Sequence, residues 1–273
     1  MCGFTTKEQH HHYTVRIQQP NDASLCYAQE YFVMSTHPAT FTTALDASED
    51  SITAARRPKY RQAYGIHPYH AFDALNNYPN HMATLRQCLE RAPHSFVGEI
   101  GLDKTQRHKQ FFASHQVPLF VNQLRLAAEL NRPVSIHSVK SDGALVDLLS
   151  AELRLPPALA LHSFCGSPET LARIIKLEDQ KKCEIFVGLN PTTNLTKKNV
   201  LLFLQSVGVH RMLIETDWST DDYPFLHSNV QDIHKLLLNA VLMIANVLEL
   251  EFQTVVAYLV TNTDRFSQSI NPK

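Results

Sequence analysis

Apolar and polar positions follow two rhythms along this chain: short β-branched runs, and longer segments with a helical repeat. Seven short runs read as strands, at 31–36, 62–67, 95–100, 132–137, 158–163, 183–189 and 211–216. Between them the spacing predicts helices at 80–92, 117–130, 142–154, 168–180 and 196–206, with two more at 229–249 and 251–260 after the last strand. Strand and helix in alternation imply βαβ units and parallel pairing. Seven strands, with room for one before residue 31, predict an α/β fold of the TIM (β/α)8 barrel type. Residues 1–9 lack apolar alternation, so the first strand is expected to be short, irregular or displaced. Arg132-Pro133 stops a helix ahead of a strand. Ser167-Pro168-Glu169 supplies an N-cap and a first-turn proline. No linker, repeat or low-complexity stretch divides the chain, so residues 1–273 read as one domain in which 1–30 fit worst.

Composition changes this picture little. The chain is 44% hydrophobic and 19% charged, with a formal net charge of −1, which excludes a broad basic grip on nucleic acid but not a small phosphate pocket. Five cysteines form no CxxC pair and leave one odd, as reduced intracellular thiols do, and the opening residues lack the apolar core of a signal peptide. The most apolar stretch, 236–250, is interrupted by Asn239 and Asn246 and reads as a core-facing helix, not a membrane span. The expected location is therefore cytoplasmic, nuclear or both.

Four of the predicted strands end alike, in an apolar run followed by a carboxylate or an imidazole. They are Val-Gly-Glu-Ile-Gly-Leu-Asp at 97–103, Val-Ser-Ile-His-Ser at 134–138, Leu-Ala-Leu-His-Ser-Phe at 159–164 and Leu-Ile-Glu-Thr-Asp at 213–217. A polar group at the tail of a buried strand is costly unless something there uses it. In a parallel barrel all strand tails open on one rim, where Glu99, His137, His162 and Asp217 would converge. Alternation puts Val97, Glu99 and Gly101 on one face, Ser135 with His137, Ala160 with His162 and Phe164, and Leu213 with Glu215 and Asp217. Any one of these histidines alone is more simply a core residue; the four tails together point to a divalent metal and a hydrolase.

These residues carry a resemblance to the TatD family of metal-dependent hydrolases, within the amidohydrolase group of barrels. Gly65-Ile66-His67-Pro68 resembles the family's GxHP, and Gly98-Glu99-Ile100-Gly101-Leu102-Asp103 its GEIGLD. The stretch from Gln123 to His137 resembles its Q-L-x-L-A-x-E-L-x-x-P-V-x-x-H. His162-Ser163-Phe164-Cys165-Gly166-Ser167 is similar to HxFxGS, Glu215-Thr216-Asp217 to ETD, and the run from Asn262 to Phe266 to the closing N-x-x-R-F. The resemblance implies a deoxyribonuclease that uses one or two divalent ions (Mg, Mn or Zn) and water. Glu99, His137, His162 and Asp217 would be metal ligands, with Glu99 and Asp217 also catalytic. His67 would face the substrate phosphate, while Glu215 and Asp103 would support the ligands from behind. The implied partner is DNA, single-stranded or at its ends, and no membrane.

The chain departs from that pattern at its start. The family opens on a strand ending in D-x-H-x-H; the nearest phrase here is Glu8-Gln9-His10-His11-His12, so His10 and His12 are the candidates for the remaining metal ligands. The alternative is that these histidines form a solvated run. Relatives carry an arginine directly after the serine, where this chain has Val139; Lys140, one position on, is the candidate to supply that charge for substrate binding. Trp218, after Asp217, would stack on a base or simply pack. Lys104, Arg107 and Lys109 would meet phosphates or form a solvated face. Two other functions stay open: hydrolysis of another ester such as misacylated tRNA, and a weakened barrel kept as a binding or scaffold protein. A carbamylated-lysine site is disfavoured, because Glu99 occupies the bridging position.

Overall fold

The computed structural model describes residues 13–18, 27–41, 59–216 and 230–269. Eight strands close a barrel in sequence order: β1 Tyr13–Gln18, β2 Tyr27–Ser35, β3 Lys59–Tyr64, β4 Phe96–Asp103, β5 Val134–Val139, β6 Ala158–His162, β7 Glu184–Leu189 and β8 Met212–Thr216. From β2 to β8 every pairing is parallel. Among the described α-helices, α1 is Ala71–Asn77, α2 His81–Arg91, α3 Val117–Glu129, α4 Asp142–Ala151, α5 Pro168–Ile175, α6 Leu177–Lys181, α7 Lys198–Val207, α8 Val230–Leu248 and α9 Phe252–Gln268. All seven expected strands are present. The helix expected at 168–180 is instead two helices, broken at Lys176. Among the described residues no single helix is long and apolar enough to cross a membrane.

The first strand differs most from a simple alternation of strand and helix. β1 runs antiparallel to both β2 and β8, and its register slips between Arg16 and Ile17. Its sequence, Tyr-Thr-Val-Arg-Ile-Gln, alternates with a period of two, which polar neighbours on both sides obscure. Because the strand is reversed, its beginning and not its end lies beside the tail of β8: Tyr13 pairs with Thr216 and Thr14 with Glu215.

Two apolar layers fill the molecule. The barrel interior holds Met34, Ala63, Phe96, Ala158, Ala160, Phe186 and Leu213, closed from below by Phe266 of α9. Phe266 meets Phe96 and Phe186 edge-on, each at 5.8 Å between ring centroids. Asn262, one turn earlier, donates to the carbonyls of Val209 and Met212 and so pins the start of β8. The larger layer lies between strands and helices and includes Val97, Ile100, Leu102, Ile136, Leu161, Val187 and Ile214.

Strict alternation fails on β4. Val97 pairs with Val134 but Ile100 with Ile136, so three steps on β4 oppose two on β5. This bulge turns Val97 outward with Ile100 and Leu102, while Glu99 turns towards the rim; the expected shared face of Val97 and Glu99 is thereby corrected. Phe164 likewise belongs to the outer layer, because the chain leaves β6 at His162 before reaching it.

Candidate functional site

Four strands deliver their polar residues to one rim. β4 bears Glu99 and ends at Asp103, β5 bears His137, β6 ends at His162, and β8 carries Glu215 just before its end. The register sets His137 between Gly101 and His162. The chains approach so closely there that a Cβ on Gly101, whose φ is +154°, would come within 2.0 Å of the His137 carbonyl oxygen.

Glu99 has no solvent exposure, and its Oε1 is the hub of the group. His137 Nδ1 lies 3.1 Å from it, and His67 Nε2 and His162 Nε2 each lie 4.0 Å away. Behind each strand imidazole stands another carboxylate. Asp103 Oδ2 is 3.2 Å from His137 Nε2, and Glu215 Oε1 is 3.1 Å from His162 Nδ1. Each ring can therefore give one proton to the carboxylate behind it, and its other nitrogen, on the Glu99 side, donates to Glu99 when protonated or offers its lone pair to a cation held there when neutral.

His67 is set differently. Its Nδ1 accepts the backbone N–H of Tyr69 at 3.3 Å, so the neutral ring carries its proton on Nε2, the side facing Glu99. In that state it offers a donor to an anionic oxygen and no lone pair to a cation. Sequence and geometry thus separate His67 from His137 and His162, although potential ligand atoms of His67, Glu99 and His137 lie within 4.8 Å of one another. The donor set fits a divalent ion: a dry carboxylate oxygen and imidazole nitrogens on separate strands, each held by a fixed partner.

The electrostatics follow from these contacts. Burial works against the His137 cation, but hydrogen bonds to Asp103 and Glu99 outweigh it and raise its pKa. Burial alone would push the Asp103 carboxyl up; the bonds from His137 and Thr105 hold it down at about 2. Glu215 is fixed from a second direction by Ser163, whose N–H lies 2.5 Å and Oγ 3.1 Å from the same oxygen. A Cβ on Gly188 would fall 2.4 Å from that carboxylate, so the glycine in β7 is what makes room for it.

Several positioning residues carry no signal of chemistry in the sequence. Gln116 and Gln123 lie seven positions apart on the helical run that ends in α3, and both are buried. Gln123 accepts the Ile66 N–H at 2.7 Å and donates to the Ile66 carbonyl at 3.1 Å, which fixes the backbone next to His67. Gln116 makes the same paired bond to the backbone of Asp103, at 2.7 and 3.0 Å. Asn194 links the loops after β6 and β7 through the carbonyls of Phe164 and Gly188. Two amides on an apolar helix face were the one available hint. Lys140 is exposed in a left-handed turn just after β5, on the same rim but outside the buried group. Asp217, His10, His12 and Trp218 lie outside the described residues.

The sequence matches the family model described as TatD related DNase over residues 9–268. It is similar to the 3'-5' ssDNA/RNA exonuclease TatD of Erwinia billingiae (strain Eb661), at 29% identity over 181 residues. That match takes in 65% of either protein, so the chain spans just under two thirds of this relative's length. It is also similar to the Cut9-interacting protein scn1 of Schizosaccharomyces pombe, at 23% identity over 81% of this chain and 78% of that one. Among solved structures, YjjV, a TatD homologue from Escherichia coli K12, shares the fold with a TM-score of 0.68 at 22% identity, covering 88% of this chain and 86% of its own.

Proposed function

The chain belongs to the TatD related DNase family, and from that premise we propose that it hydrolyses phosphodiester bonds of DNA, at single-stranded segments or ends. The observation that carries this reading is the pair of imidazoles, each backed by its own carboxylate and each aimed at buried Glu99. Glu99, His137, His162 and Asp217 would hold one or two divalent ions, Mg, Mn or Zn. Such an ion supplies positive charge against the phosphate oxygens and makes water acidic enough to lose a proton near neutral pH. Asp217, next after β8, would accept that proton as water adds to phosphorus and the O–P bond to the leaving nucleotide breaks. His67 would give its Nε2 proton as a hydrogen bond to a phosphate oxygen, and Lys140 would add charge at the edge. Asp103 and Glu215 keep His137 and His162 in one tautomer. The reversed β1 supports His10 and His12 as further ligands, since the chain enters that strand at the site rim.

The test has two readouts, metal content and product length on labelled single-stranded DNA with Mg or Mn. Changing Glu99 and Asp217 together to Ala should abolish stoichiometric metal uptake, and Asp217→Ala should remove cleavage. His67→Ala should raise KM while metal content stays at the wild-type level. Unchanged metal content in the double variant would sink the site, and equal cleavage by Asp217→Ala would mark a contaminating nuclease. One relative is named for an interaction and the HxH phrase is displaced, which favours a scaffold as the second reading. Wild type that takes up no stoichiometric metal and cleaves nothing when Mg, Mn and Zn are supplied would select it.

A further inference from the structure

Tyr69, Phe72 and Leu75 recur every third residue along the 3-10 turn Pro68–His70 and α1, and they are 40%, 46% and 37% exposed. Among the described residues six large hydrophobic side chains are this open, so half of them stand in one row. The row starts at the buried group: the Tyr69 ring centroid is 4.3 Å from His67 and 5.8 Å from His137. A second row, on the segment that follows β4, backs the first. His108 lies parallel to Tyr69 at 4.1 Å, with 13° between the planes, and Phe72 packs 4.6 Å from Phe111 and 5.3 Å from His115. Burial lowers the pKa of His108, so at pH 7 its ring is neutral and stacks as an apolar face.

Charge on the second row has one sign, and the one acid on α1, Asp73, is paired with His37 at 2.7 Å. Residues 104–128 contain no Asp or Glu, and Lys104, Arg107 and Lys109 are all exposed there. Lys104 Nζ sits 4.1 Å over the ring of Phe112. An exposed apolar row by itself would suit many partners. Rings interleaved with cations, beginning at a site fitted for phosphodiester chemistry, suit one: a single strand, whose bases stack while its phosphates meet the cations. A duplex has no free base faces to offer.

We propose that Tyr69, Phe72 and Leu75 form a stacking shelf for the bases next to the scissile phosphate of single-stranded nucleic acid, with Lys104, Arg107 and Lys109 along its backbone. The shelf rests on the hydrolase reading above and adds to it the side chains that hold the bases. Phe72 is the residue to change, because it is the most open of the three and packs on Phe111 and His115 of the second row. Anisotropy is measured with a labelled decathymidylate and with an abasic strand of equal length, on Glu99→Gln protein so that neither is cut. Phe72→Ala in that background should weaken decathymidylate binding about tenfold, leave the abasic strand unaffected, and be rescued by Phe72→Trp. In otherwise wild-type protein the same change should raise KM for the oligonucleotide and leave kcat. Equal decathymidylate affinity with and without the Phe72 ring overturns the shelf, as does an equal loss for the abasic strand. Wild type that cleaves no oligonucleotide with Mg, Mn or Zn overturns the hydrolase reading itself, a result obtained before any Phe72 variant is compared.

Discussion

Asp103 and His137 show how a buried pair behaves when each member needs the other. Asp103 is completely buried, and its carboxyl is held at about 2 by His137 and Thr105. Its folded pKa lies below the unfolded value near 4, so its contribution to stability is full above about pH 4 and is lost as pH falls towards 2. His137 has the opposite sign: its pKa is raised, so its contribution is full below the ordinary imidazole value and fades as pH rises through the folded one. These two groups together favour the metal-free protein most between roughly pH 4 and 6.5. Melting temperatures of chelator-treated protein across pH 2–8 check this. Asp103→Asn should lower Tm near pH 5 and flatten the acid limb; a limb as steep as that of wild type would remove Asp103 as its cause. At this scale Glu99, His137 and His162 could be found in the sequence, because each interrupts an apolar run. The tautomer that sets His67 apart from the other imidazoles could not, because it depends on a backbone N–H from Tyr69.

The elements hold these residues by means that periodicity does not reveal. The strands from 59 to 216 were legible because a parallel strand, buried on both faces, reads as an unbroken apolar run; among the helices between them, the short α1 and the break at Lys176 were not. The bulge in β4 was not, since one extra residue changes no hydrophobic pattern while it turns Val97 out and Glu99 to the rim. The glutamines of the helix before β5 were equally silent, because an amide that bonds to a backbone looks like any polar residue until the fold brings that backbone near. Gln123→Leu keeps the volume but leaves the buried N–H and C=O of Ile66 without their partner. The expected cost is about 2–4 kcal/mol of stability. His67, one residue on, should lose its aim, so KM for the oligonucleotide should rise more than the loss of folded protein explains. Denaturant unfolding beside steady-state kinetics tests both. A stable Gln123→Leu protein with wild-type KM would show that the clamp does not position His67.

At the scale of the whole molecule the open question is what closes the barrel. Seven parallel strands leave two edges, β2 and β8, and β1 pairs with both while running the other way. The sequence hid this, because the direction of a six-residue strand is set by pairing and not by its own pattern. The reversal separates two roles that are joined in a parallel first strand. Residues 13–18 supply hydrogen bonds to the sheet, and Tyr13, which follows the histidine run in sequence, pairs with Thr216 at the site rim. Two truncations divide these roles. Removing residues 1–12 deletes His10 and His12 but keeps β1, so metal-free stability should hold while the second equivalent of metal is lost or binds at least tenfold more weakly. Removing residues 1–18 bares the edges of β2 and β8, whose unpaired N–H and C=O groups invite association. That chain should melt lower and sediment as aggregates even when saturated with metal. Calorimetry and metal titration of the two truncations against wild type give the answer. If the shorter truncation alone destabilises the metal-free protein, the histidine run supports the fold; if it leaves metal stoichiometry unchanged, His10 and His12 are not ligands and the site is complete without them.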